Sequence, residues 1–151
     1  MAFGYDRRTA VTQEHGMEIS DSMHTILSRQ EVVTDLFYLK FLDRYPDVQK
    51  FFQDVDLEQQ AVLLKMALQI VVLYYVHRYP AAEQYLRVLG RKHCDRQIPM
   101  ELYADWRDCL LDTLEQFHGD EWNERLETQW TDAVNLATDA MRGGYTGFAT
   151  Y

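Results

Sequence analysis

The run Tyr85-Leu86-Arg87-Val88-Leu89-Gly90-Arg91-Lys92-His93-Cys94 decides how this chain is read. Leu86, Leu89 and His93 recur at the three- and four-residue steps that put side chains on one helix face, whereas Arg87, Arg91 and Lys92 fall elsewhere on its surface. An imidazole therefore stands where the pattern reserves a place for core. Taken alone, such a histidine reads as a hydrogen-bonded core residue, and only its company elsewhere in the chain makes it a candidate metal ligand.

Outward from that run the pattern is helical. The 151 residues hold only three prolines and seven glycines, apolar residues keep to a helical period over long stretches, and strand-like alternation is nowhere sustained. The expected class is all-α, with six or more substantial helices. Helices are expected over residues 19–28, 32–45, 59–77, 82–94, 99–118 and 122–141, with a turn or corner at 47–52. Pro46 stops the second helix, Arg78-Tyr79-Pro80 ends the third, Pro99 opens the fifth in its first turn, and Gly143-Gly144 closes the last. This divides the chain into a polar, partly helical N-terminal extension over 1–18, one domain over 19–142 and a fraying C-terminal tail over 143–151. No internal repeat, low-complexity tract or linker interrupts it.

Composition narrows the function classes. With 15 basic against 24 acidic residues, the net charge of −9 argues against a nucleic-acid surface or an anionic membrane surface. No uninterrupted apolar run of about 18 residues suggests membrane insertion, and Met1-Ala2-Phe3-Gly4-Tyr5-Asp6-Arg7-Arg8 lacks the apolar core of a secretory signal, so a cytoplasmic location is expected. Cys94 and Cys109 read as free thiols, too few for a disulfide scaffold and forming no zinc-like cluster with the scattered histidines.

Polar residues that interrupt apolar faces mark the remaining candidates. Tyr38 shares a face with Phe41, Leu42 and Tyr45, and Gln59 extends the stripe of Leu63, Met66, Ala67 and Ile70. A tyrosine in a core can simply satisfy its hydroxyl on a carbonyl, and a glutamine in a first helical turn can simply be solvated.

Taken together, these positions resemble the globin family over residues 19–141. Phe52, soon after Pro46, looks like the corner phenylalanine that packs on the haem; His93 stands where the proximal ligand belongs, followed by Ile98-Pro99 at the next helix. The segments Leu57-Glu58-Gln59-Gln60-Ala61-Val62-Leu63 and Lys92-His93-Cys94 are most similar to bacterial single-domain haemoglobins and the globin part of flavohaemoglobins. The resemblance implies a globin fold holding haem b (iron protoporphyrin IX) with His93 as its iron ligand, the other ring nitrogen bonding the Leu89 carbonyl. It makes Tyr38 and Gln59 distal hydrogen-bond donors beside Leu63, with Phe52, Leu63, Leu89, Ile98, Tyr103 and Trp106 holding the haem.

The implied function is reversible binding of dioxygen, and of nitric oxide or carbon monoxide, at a five-coordinate ferrous iron. An alternative is a nitric oxide dioxygenase, which would need a separate reductase because the flavin and nicotinamide domains of flavohaemoglobins are not in this sequence. Tyr103 matches the tyrosine behind their proximal histidine, whereas their partner glutamate falls near Tyr145, where no carboxylate stands. A gas-sensor module acting through a partner protein is a further alternative, and a homodimer is compatible with each. No catalytic residue is assigned.

Overall fold

The computed structural model describes residues 16–29 and 33–146, which form six α-helices and two 3₁₀ segments with no strand among them. In chain order these are α1 (Ile19–Ser28), α2 (Val33–Arg44), a 3₁₀ segment (Pro46–Phe52), α3 (Leu57–His77), α4 (Pro80–Asp95), α5 (Leu102–His118), a 3₁₀ turn (Gly119–Glu121) and α6 (Glu124–Thr146). The N-terminal extension up to residue 15, the expected helix start at Val32 and the tail from residue 147 lie outside the described residues.

Local chemistry sets these boundaries. At α1, Glu18 and Asp21 form a reciprocal capping box, the Asp21 carboxylate accepting the Glu18 N–H at 3.1 Å. Asp56 caps α3 by accepting the N–H groups of Glu58 and Gln59. Arg78 ends that helix in the left-handed region at φ 57°, and Pro80 opens α4 where a missing N–H costs no helical bond.

Two expected boundaries are corrected. Helix α5 begins at Leu102 rather than at residue 99, because Pro99-Met100-Glu101 form a turn whose Pro99 carbonyl accepts the Leu102 N–H at 3.1 Å. Helix α6 runs through Gly143 and Gly144 to Thr146 instead of closing there. These glycines meet a packing need. A Cβ at Gly144 would lie 2.1 Å from the Arg87 carbonyl oxygen, and one at Gly90 would lie 1.9 Å from that of Met141. The backbones of α4 and α6 thus touch at two glycines, and this fixes the helix that carries His93.

The core is built on the fully buried Trp130, Phe37, Ile26, Leu68, Leu110 and Leu126. Helix α3 packs against α1, α2, α4 and α6. Leu57–His77 is long and apolar enough by length and composition to cross a membrane, although Lys65 and three glutamines interrupt the run. Its outward side leaves Val62, Met66, Leu73 and Val76 exposed, while its inner side is a wall of the core. Both Cys94 and Cys109 are free thiols.

Candidate functional site

Helices α2 to α6 and the first 3₁₀ segment enclose a cavity of about 410 Å³, within the size range of small-molecule and cofactor sites. Tyr38, Phe52, Leu63, Leu89, His93, Ile98, Tyr103 and Trp106 all line it. These come from five separate stretches of sequence, so the fold gathers the residues singled out above around one space. Gln59 does not join them.

His93 sits in the last turn of α4, mostly enclosed. Burial, with a smaller contribution from nearby Arg96, pushes its pKa down to about 4, so the ring is neutral at neutral pH. Its Nδ1 lies 3.1 Å from the Tyr103 hydroxyl, and this replaces the expected bond to the Leu89 carbonyl, which as a helix-interior group serves the helix's own ladder. Nε2 is left as the nitrogen available to a ligand in the cavity. Behind His93, the Tyr103 hydroxyl donates to Tyr145 at 3.2 Å and Tyr145 donates to the Ile98 carbonyl at 2.7 Å. Burial holds the Tyr103 phenol well above the usual range and raises Tyr145 as well.

On another wall, Tyr38 is 6% exposed and is held by edge contacts with Phe37 and Phe52 at centroid distances of 5.1 and 5.6 Å. Burial pushes its pKa up to about 12, partly offset by a hydrogen bond from the Gln60 side chain. The phenol therefore keeps its proton.

Gln60 takes the place expected of Gln59. The Asp56 cap puts Gln59 in the first turn of α3, exposed to solvent, while Gln60 lines the cavity in register with Leu64, Ala67 and Val71. Leu63 borders the cavity but remains 48% exposed. Sequence reasoning also passed over Lys92 and Arg96, two solvent-exposed cations that line the cavity. The Arg96 guanidinium donates to the Phe51 carbonyl at 3.1 Å, tying the end of α4 to the 3₁₀ segment. A cap search one residue before Leu57 would have found Gln60; Tyr145 was marked only as the position where a partner glutamate was expected.

Among the described residues no group of three or more His, Cys, Asp or Glu side chains could hold a bare metal ion. A lone neutral imidazole facing a largely apolar cavity, with two cations beside it, instead suits a metal whose other positions are filled by a flat, carboxylate-bearing macrocycle. Fold and site together define a helical protein with a haem pocket. The sequence pattern of the Globin family matches residues 35–141, a span that takes in every cavity-lining residue from Tyr38 to Met141 and leaves Tyr145 just beyond it. The chain belongs to the globin family, whose domain binds diatomic ligands through haem. No match was found among curated proteins.

Proposed function

We propose that this globin binds dioxygen reversibly on haem b, with His93 Nε2 as the protein ligand to iron and Tyr38 and Gln60 as the polar groups that meet the gas. One observation carries the reading: the same cavity presents a neutral, enclosed imidazole from α4 and a paired phenol and amide from α2 and α3. Haem, held by His93, would supply a ferrous iron able to bind a diatomic gas.

The chain's own residues do the rest. His93 offers its Nε2 lone pair while Nδ1 is engaged by Tyr103. Lys92 and Arg96 offer positive charge to the carboxylates of the macrocycle. Phe52, Leu89, Ile98 and Trp106 keep water from the iron side of the pocket. The protonated Tyr38 hydroxyl and the Gln60 amide both donate, so they favour a ligand that draws negative charge, as dioxygen does, over the nearly neutral carbon monoxide. At roughly 0.5–1.5 kcal/mol for each hydrogen bond, the two slow ligand release by about one to two orders of magnitude. The position behind Tyr103 is a neutral phenol rather than a carboxylate, which supports a binder over a nitric oxide dioxygenase.

The test is a spectrum of the dithionite-reduced protein followed by stopped-flow dioxygen release. A five-coordinate ferrous spectrum and slow release are expected, with Tyr38→Phe accelerating release by roughly threefold to tenfold. No haem band after haem supplementation would sink the reading, and an unchanged rate in the variant would remove Tyr38 from it.

A further inference from the structure

The hydrogen bonds behind His93 have a direction fixed at their far end. The Ile98 carbonyl can only accept, so the Tyr145 hydroxyl, 2.7 Å away, must donate to it. A phenol has one hydrogen, so Tyr145 can meet Tyr103 at 3.2 Å only as an acceptor. Tyr103 thereby spends its own hydrogen, and its oxygen can meet His93 Nδ1 at 3.1 Å only as an acceptor. In the reverse arrangement two oxygens would face each other at Ile98 with no hydrogen between them.

We propose that Tyr145 is a positioning residue that anchors this one-way chain on the Ile98 carbonyl, holding His93 in the Nδ1–H tautomer with its Nε2 lone pair turned to the cavity, without placing any charge behind the ring. The proposal rests on the reading of His93 as the haem ligand and specifies how that ligand is kept ready. The anchor is rigid. Ile98 returns its own N–H to the His93 carbonyl at 3.0 Å, and Tyr145 follows Gly144, whose missing side chain lets α6 lie on the backbone of α4. Tyr145 is also why the last helix has to continue past the paired glycines. A carboxylate at this position would run the chain in the same direction but would add a full negative charge, polarising the imidazole and favouring ferric iron. A phenol orients the ring and leaves it neutral, which suits a protein that must hold its iron ferrous between ligands.

The experiment uses the full chain with Tyr145→Phe, Tyr145→Glu and Tyr103→Phe. The first readout needs no haem: nitrogen-15 shifts of the His93 ring in the haem-free protein at neutral pH. The unchanged protein is expected to show the Nδ1–H tautomer alone. Tyr145→Phe frees the Tyr103 hydrogen to turn toward Nδ1, so the Nε2–H form should rise at least several-fold, and Tyr103→Phe should lose the bias as well. The second readout is the haem-loaded protein. Tyr145→Glu should shift the ferric-to-ferrous equilibrium toward ferric by about tenfold, about 59 mV for a one-electron couple, and raise the iron–histidine stretching frequency. Mixed tautomers in the unchanged protein, or an unaltered tautomer in a folded Tyr145→Phe together with an unmoved potential in Tyr145→Glu, would overturn the proposal. If the unchanged protein takes up no haem, the functional reading fails, while the haem-free tautomer measurement still decides the role of Tyr145.

Discussion

Among the described residues His93 and His118 both have their pKa lowered by burial, and His93 lines the cavity. His118, at the end of α5, is 5% exposed, and burial with a contribution from Arg29 pushes its pKa down to about 4, the same direction and extent as at His93. Trp130 Nε1–H donates to Ser22 Oγ at 2.9 Å, and the same oxygen lies 2.6 Å from His118 Nε2. His118 Nδ1 is buried without a hydrogen-bond partner. The two rings share residue type and a pKa lowered by burial. They differ in what Nε2 meets: Ser22 Oγ occupies it at His118, whereas His93 lines the cavity. Burial and a lowered pKa therefore do not make a ligand. A lone pair left free beside open space does.

Alanine at the two positions breaks this comparison most directly. His93→Ala should abolish stable haem retention, or require added imidazole to restore it, while costing little fold stability because the site already borders a cavity. His118→Ala should leave haem uptake intact and cost about 2–4 kcal/mol in denaturant unfolding, since it removes a partner of the Ser22 hydroxyl and opens a void beside Phe117 and Trp122. Normal haem retention in His93→Ala would show that the wrong ring has been assigned.

A second test acts on the scaffold of one histidine and spares the other. Gly90→Ala and Gly144→Ala each drive a methyl into opposing backbone, which cannot swing aside as a side chain can. The small gain in helix propensity is outweighed, and about 1–3 kcal/mol of destabilisation is expected for each. Both should also weaken haem affinity by moving α4, while the indole signal of Trp130 beside His118 stays native. Equal stability in either variant would mean that α4 and α6 do not meet as described.

Acid should act on both rings. Each has a folded pKa of about 4 against an ordinary 6.5, so between these values the unfolded chain binds more protons than the folded one. In the haem-free protein the stability from keeping the rings neutral is fully present above pH 6.5 and is lost as pH falls toward 4. For the deeply buried His118 this is on the order of 3 kcal/mol. Unfolding free energy measured across that window should fall with pH, and His118→Asn should flatten the slope. An unchanged slope would mean that His118 is not held neutral by the fold.

How much of this could be read from the chain follows from the kind of signal each residue leaves. The helices were legible because their apolar positions recur at helical spacing, and His93 because it interrupts a clean stripe. The α6 terminus was misread because paired glycines look alike whether they end a helix or admit a neighbour, and only the contact with α4 separates the two. Gln60 was missed because α3 is apolar on nearly every side. With Val62, Leu63, Met66 and Leu73 exposed, hydrophobicity does not say which face points inward, and a one-residue error turns a helix by about 100°. Behind His93 the resemblance marked Tyr103 and the position of Tyr145 but not the bond to Ile98, and the contact of Ser22 with His118 left no trace, since it joins helices distant in sequence.

The smallest expected effect asks whether facing the cavity, rather than residue type, decides a role, now at two adjacent glutamines. Gln60 lines the cavity and lowers the pKa of Tyr38 against the effect of burial, while Gln59 is a solvated first-turn residue whose backbone N–H serves the Asp56 cap. Gln60→Ala removes one donor from the ligand and one restraint from the Tyr38 phenol, so dioxygen release should quicken by roughly threefold to tenfold. Gln59→Ala leaves the backbone N–H and its cap in place and should change release by less than about twofold and stability by less than about 0.5 kcal/mol. If Gln59→Ala gave the larger kinetic effect, α3 would have to turn by one residue when ligand binds, and the amide facing the iron would not be the one that lines the cavity in this structure.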